Sequence, residues 1–211
     1  MKISVSFLKN KTDVRDTLEK LDETTADFIH VDIMDGKFTS EKTMDEYEFL
    51  DCLKGIKKPL DIHLMVENPT NYIEVLKELN PRFISVHAEI PDYKKYIDLI
   101  HSYNIGAGIA INPKTRVMNV ECLDNVEYVL VMSVNPGLGG QKLIPETIEK
   151  LDILQKLKHE KNYNYLVSID GGVNLESRVF LNSADVLVSG SYICMSDNFQ
   201  EKIFKQTYYL D

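Results

Sequence analysis

The sequence predicts a single (β/α)8 barrel of the α/β class, the TIM-barrel architecture, and three observations predict it. Apolar, β-branched runs recur eight times, at residues 3–6, 28–34, 60–66, 83–87, 106–111, 128–133, 165–169 and 186–188. Stretches with helical spacing separate them, which implies parallel strands joined by right-handed crossovers. The 211 residues divided among eight units leave about 26 residues each, near the short end of the range for such barrels. An open doubly wound sheet is the competing architecture. The chain after the first run reads Ser6-Phe7-Leu8-Lys9-Asn10, without the glycine fingerprint of a dinucleotide fold.

The strands read as near-continuous apolar runs, as expected where both sheet faces are covered. The first helix is predicted over 13–21, after the polar stretch 10–12, with Val14, Leu18 and Leu21 on one face. Helices over 45–53 and 70–79 follow, the second opened by Asn68-Pro69. The fourth starts at Pro91, with Tyr93, Tyr96, Ile97 and Ile100 as its stripe, and a short one is predicted over 115–123. Residues 145–157 carry the clearest pattern, with Ile148, Leu151, Ile153, Leu154 and Leu157. A helix over 174–182 begins with an Asn cap, and one over 198–210 closes the chain. No linker or low-complexity segment interrupts the units, so residues 1–211 are expected to form one domain.

The formal net charge is −9, from 24 Lys and Arg against 33 Asp and Glu. That balance argues against nucleic acid, whose neutralisation needs clustered cations. A small anion held by local backbone dipoles stays compatible with it. Cys52, Cys122 and Cys194 are odd in number and widely spaced, so a reducing, cytoplasmic setting is expected and all three are expected to be small buried packing residues. No apolar run reaches membrane-helix length, and the N-terminus lacks a signal-peptide core.

In a barrel of this kind the site lies at the C-terminal ends of the strands. His30 and Asp32 are two residues apart, so a strand points both to one face, with Met34 next. His63 and Met65 repeat the spacing on the following strand, and Asp170 ends the seventh. A charged Asp inside a strand is costly unless paired or metal-bound. Two imidazoles and two carboxylates make His30, Asp32, His63 and Asp170 a candidate divalent metal site. His101 and His159 fall in helices and are expected at solvent. Gly139-Gly140, Gly171-Gly172 and Gly190-Ser191 follow strands six, seven and eight. Such segments bring backbone N–H groups and helix starts close to an anion. No Walker-type loop is present, which speaks against nucleoside triphosphates.

Taken together, these motifs resemble the ribulose-phosphate 3-epimerase family. The resemblance rests on His30-Val31-Asp32-Ile33-Met34-Asp35-Gly36, Asp61-Ile62-His63-Leu64-Met65-Val66, and Val131-Met132-Ser133-Val134-Asn135-Pro136-Gly137-Leu138-Gly139-Gly140-Gln141. Asp170-Gly171-Gly172-Val173 and Val188-Ser189-Gly190-Ser191 add to it, in order. It implies a ribulose-phosphate-binding type of barrel and a pentose phosphate pathway enzyme. The implied reaction interconverts D-ribulose 5-phosphate and D-xylulose 5-phosphate through an enediolate. The resemblance implies that His30, Asp32, His63 and Asp170 hold one divalent metal ion per subunit, zinc first, or iron, manganese or cobalt. It implies that Asp32 and Asp170 are the acid/base pair, which an inversion needs on opposite faces of the carbon. Ser6 and His63 would contact sugar oxygens, and Met34, Met65 and Met132 would line the cavity. Backbone at Gly139, Gly140, Gly171, Gly172, Gly190 and Ser191 would hold the phosphate. A homo-oligomer is also implied.

The chain departs from the family after the Asp-Gly turn, where it reads Gly36-Lys37-Phe38-Thr39-Ser40-Glu41-Lys42-Thr43 in place of a Phe-Val-Pro-Asn segment. Asn135 stands where an acidic residue is common, Leu138 where Phe is common, Val5 where Pro is common, and Phe7-Leu8 where Ile-Leu is common. An epimerase of a six-carbon ketose phosphate such as allulose 6-phosphate therefore stays open. So do a metal-free phosphate-binding barrel of indole or histidine biosynthesis and a degenerate ligand-binding barrel.

Overall fold

The computed structural model describes residues 1–208. Eight parallel strands close in sequence order into a barrel: β1 (Lys2–Ser6), β2 (Phe28–Met34), β3 (Leu60–Met65), β4 (Phe83–His87), β5 (Gly106–Ile111), β6 (Tyr128–Met132), β7 (Leu166–Asp170) and β8 (Val186–Ser189), with β8 pairing back to β1. The helices are α1 (Val14–Asp22), α2 (Glu46–Leu53), α3 (Thr70–Leu76), α4 (Tyr93–Ser102), α5 (Glu149–Lys161), α6 (Leu175–Arg178), α7 (Ser191–Cys194) and α8 (Phe199–Tyr208).

Strand alternation sorts the side chains into two cores. On β2, Ile29, Val31 and Ile33 face the helices, while Phe28 joins a second cluster inside the barrel with Phe83, Tyr128, Leu130, Met132, Val186 and Val188. The Phe83 and Tyr128 rings stack there at 4.6 Å between centroids. Gly106 on β5 makes the room, because a Cβ at that position would lie 2.8 Å from Phe83 Cδ1. A bulky residue on β5 would force the strands apart. Above this apolar floor the inward positions turn polar, and the register aligns them. His30 pairs with Asp61, Asp32 with His63, and Met34 with Met65 across β2 and β3.

Local chemistry explains several helix starts. Asp13 accepts from Arg15 N ahead of α1. Asp45 and Glu48 form a reciprocal capping box at α2, as Asn174 and Ser177 do at α6. Four elements differ from the sequence expectation. The segment 115–123 is not an α-helix. It forms two 3-10 turns, Val117–Asn119 and Leu123–Asn125, because Val120 is extended and Cys122 takes φ +76. Val117, Val120 and Leu123 are buried at a three-residue spacing that imitates a helical stripe. The 174–182 helix shrinks to α6, and α7 is a four-residue helix that the apolar spacing does not mark. Residues 145–147 form a 3-10 turn before α5, which itself runs on to Lys161. The 198–210 helix is seen as α8, with residues 209 and 210 outside the described part.

Of the cysteines only Cys194 is buried. Cys52 and Cys122 are half-buried, and all three thiols are free. Among the described residues no helix is long and apolar enough to cross a membrane.

Candidate active site

The polar layer inside β1, β2, β3 and β7 converges on Asp32. Ser6 Oγ donates to Asp32 Oδ2 at 2.7 Å. The other oxygen, Oδ1, lies 3.2 Å from His63 Nδ1 and 3.3 Å from His30 Nε2. Asp170 Oδ2 enters from β7 at 4.0 Å from His30 Nε2. One potential ligand atom from each of His30, Asp32, His63 and Asp170 falls within 4.8 Å of the other three.

His30 is fixed from behind. Its Nδ1 faces Asp61 Oδ2 at 2.8 Å, and that oxygen also accepts from Ser4 Oγ at 3.0 Å and Tyr128 OH at 2.9 Å. A carboxylate only accepts, so His30 Nδ1 is the N–H and Nε2 points into the site. Nε2 is buried without a hydrogen-bond partner. A carboxylate-backed imidazole whose free nitrogen meets two further carboxylates is a metal-ligating arrangement. The donor set, two imidazoles and two carboxylates, suits a divalent cation.

The electrostatics pull the two carboxylates apart. Burial opposes ionisation of Asp32, but the charge of the nearby His30, with help from His63, outweighs it and holds its carboxyl far below the usual range. Burial, reinforced by the Asp32 charge, pushes Asp170 up to about 7. Burial also opposes charge on His30, yet Asp61 and Asp32 together raise its pKa well above the ordinary value. His63 goes the other way, pressed by burial down to about 4. The metal-free protein thus places a proton on His30 where the converging acceptors call for a cation.

Over this cluster lies a cavity lined by Ser6, Asp32, Asp170 and the three methionines Met34, Met65 and Met132. The expected glycines Gly139, Gly140, Gly171, Gly172 and Gly190, together with Ser191, line its other side. His30 and His63 lie beneath the lining, fully buried. Gly172 holds φ +64, and a Cβ there would sit 2.3 Å from Leu143 N, so the turn needs glycine. Ser133 Oγ lies 2.8 Å from Asp170 O and 2.6 Å from Gly171 O, tying the end of β6 to this turn.

The segment after β2 is ordered by Asp35. Its Oδ1 accepts from Lys37 N and Phe38 N, its Oδ2 from Glu67 N, and Asp35 bridges to Lys42. Phe38 is thereby laid over His87, with ring centroids 4.5 Å apart.

His101 is half-buried against Glu127, whereas His159 is exposed as expected. Sequence reasoning did not single out Asp61, Tyr128, His87 or Glu89 as parts of the site. Asp61 carried a usable signal, because it precedes His63 by two residues and therefore shares its face. The others depend on contacts between strands.

A family model described as the ribulose-phosphate 3 epimerase family matches residues 2–194. A ribulose-phosphate 3-epimerase of Helicobacter pylori strain J99 is 41% identical over 174 residues, covering 81% of this chain and 80% of its own. One of Bacillus subtilis strain 168 is 34% identical over 197 residues, covering 90% and 88%. In structure the chain is similar to 3-hexulose-6-phosphate synthase of Salmonella typhimurium, at TM-score 0.69 and 14% identity over 99% of this chain and 97% of that one. At that identity the likeness speaks for the barrel alone. A family match over nearly the whole chain, with relatives aligned along most of both lengths, makes this chain a member of the ribulose-phosphate 3-epimerase family and an isomerase by activity.

Proposed function

We propose that the protein is a metal-dependent epimerase that inverts C3 of D-ribulose 5-phosphate to give D-xylulose 5-phosphate, and the reverse, by two-base proton transfer. The observation that carries this is the pair Asp32 and Asp170, which enter one cavity from β2 and β7 with their pKa values driven apart. Near neutral pH one carboxyl is ionised and the other is poised to hold a proton, the division of labour an acid and a base require. Removing a proton from carbon next to a ketone leaves an enediolate. Returning a proton from the opposite face inverts the centre. One carboxylate accepts while the other donates, and the reverse direction exchanges their roles.

His30, Asp32, His63 and Asp170 would hold the cation. When bound, it supplies Lewis-acid stabilisation for the oxyanion charge that develops during proton removal. Ser6 keeps Asp32 aimed through its 2.7 Å hydrogen bond and stands at the cavity wall, within reach of a sugar hydroxyl. His63, fully buried beneath the lining, acts on the cation rather than on the sugar. Met34, Met65 and Met132 form an apolar wall that excludes water, which strengthens every charge interaction beside it. The backbone N–H groups of the turns at Gly139-Gly140, Gly171-Gly172 and Gly190-Ser191 are suited to the phosphate.

The relatives at 34% and 41% identity are named for the five-carbon substrate, which favours it over a six-carbon ketose phosphate. A single catalytic domain over 1–211, a cytoplasmic setting and a homo-oligomer belong to the same proposal. Light scattering tests the oligomer. Coupled assays on D-ribulose 5-phosphate and D-allulose 6-phosphate, with the metal content of the purified protein, test the function. Turnover of the five-carbon substrate at least tenfold better, with about one metal per chain, supports it. Preference for the six-carbon substrate, or full turnover without metal, overturns it.

A further inference from the structure

A second chain of hydrogen bonds leaves the site through β4. His63 Nε2 lies 2.8 Å from His87 Nε2, and His87 Nδ1 lies 2.9 Å from Glu89 Oε2. Both imidazoles are fully buried, whereas the Glu89 side chain is 22% exposed. Glu89 is itself held, since its Oε1 accepts from Asn112 N at 3.0 Å. Lys150 of α5 fixes that stretch by donating to the carbonyls of Asn112, Pro113 and Thr115.

The proton positions along this chain follow from donor and acceptor rules. Two carboxylates bracket two imidazoles, so two neutral rings bring two hydrogens to three contacts. The two shorter contacts, 2.8 and 2.9 Å, take them, and the 3.2 Å contact with Asp32 is left without, so His87 Nδ1 carries one hydrogen toward Glu89. In a neutral imidazole the other nitrogen is then an acceptor, so His87 Nε2 receives from His63. His63 Nε2 must carry the hydrogen, and its Nδ1 is left with a lone pair. That lone pair faces Asp32 Oδ1 at 3.2 Å, acceptor to acceptor. His30 Nε2 approaches the same oxygen at 3.3 Å without a hydrogen bond.

We infer that His87 and Glu89 are positioning residues that lock His63 in its Nε2–H form and so aim its Nδ1 lone pair at the cation position. Phe38 extends the device, because its ring covers His87 and shields the His63–His87 bond from water. The segment after β2 thus touches the site through the relay. The inference rests on the proposed cation site for its purpose, but the tautomer is a property of the chain alone.

The test uses two-bond 1H–15N spectra of the histidine rings in the metal-free protein, together with zinc affinity by chelator competition. Wild type is expected to show His63 as the Nε2–H form. Glu89→Ala frees His87 to reverse, which should move His63 to the Nδ1–H form and weaken zinc binding about 10–100-fold. Glu89→Gln retains an acceptor oxygen for His87 Nδ1 and should restore the wild-type tautomer and most of the affinity. A merely structural Glu89 would change stability and leave the tautomer in place. Nδ1–H on His63 in wild type, or an unchanged tautomer in Glu89→Ala, overturns the inference. If wild type binds no zinc while the tautomers behave as expected, the relay stands and the metal reading of the site fails instead.

Discussion

The two sides of the cavity are built from different materials. The wall made by β1, β2 and β3 uses side chains: Ser6, His30, Asp32, Asp61 and His63 in one buried network. The wall beyond β6, β7 and β8 presents mainly backbone, through Gly139, Gly140, Gly171, Gly172 and Gly190. Asp170, at the end of β7, is the acidic side chain that crosses the divide. The contrast fits a ligand with two ends. Proton transfer and cation binding need groups whose charge can be tuned by neighbours. A phosphate dianion needs several weak donors and no titrating group. The chain's net charge of −9 is compatible with an anionic ligand on these terms.

Breaking the link between the walls should have the largest effect. Asp170→Asn removes one acid/base group, and turnover should fall by about 10³–10⁴-fold with the barrel intact. Activity within tenfold of wild type would mean that one carboxylate suffices. Next comes the support of the charged wall. Asp61→Ala leaves His30 Nδ1, Ser4 and Tyr128 without their shared buried acceptor. It should cost about 3–5 kcal/mol in urea unfolding. A loss below 1 kcal/mol would show that the network is not a structural unit.

The pH dependence of metal binding tests the same wall more gently. A raised pKa on His30 and one of about 7 on Asp170 mean that the metal-free site holds protons at neutral pH and below. A cation must displace them, so affinity should rise with pH, by about tenfold per unit for each proton released. The slope should flatten once pH exceeds both folded-state values. Chelator competition across pH 6 to 9 measures it, and a flat profile would contradict the assigned protonation. The smallest effect belongs to the backbone wall. Gly172→Ala must strain a φ of +64 and push against Leu143 N. KM for the phosphorylated substrate should rise about tenfold with kcat nearly unchanged, since one charge-assisted hydrogen bond has this worth. A fall in kcat with constant KM would place the turn near the reacting carbon instead.

The same contrast explains what could be read from the sequence. The strands were legible because each is a near-continuous apolar run, and two-residue spacing put His30 beside Asp32 on one face. The glycine segments were legible as positions, though not as a surface. The 115–123 segment misled because Val117, Val120 and Leu123 are buried at helical spacing, while Cys122 in the left-handed region ends any helix. His87 and Glu89 escaped notice because their meaning depends on a cross-strand contact with His63. Spacing within a strand is written in the sequence; which side chain on the next strand it meets is not.

Two-base inversion requires that two carboxylates serve opposite faces of one carbon. A single turnover of D-ribulose 5-phosphate in D2O, followed by NMR of both sugars, tests it most directly. The donating carboxyl carries a solvent-derived hydron, so the D-xylulose 5-phosphate formed should bear deuterium at C3 while unreacted substrate bears almost none. Product that keeps the substrate's own protium at C3 would contradict the two-base account.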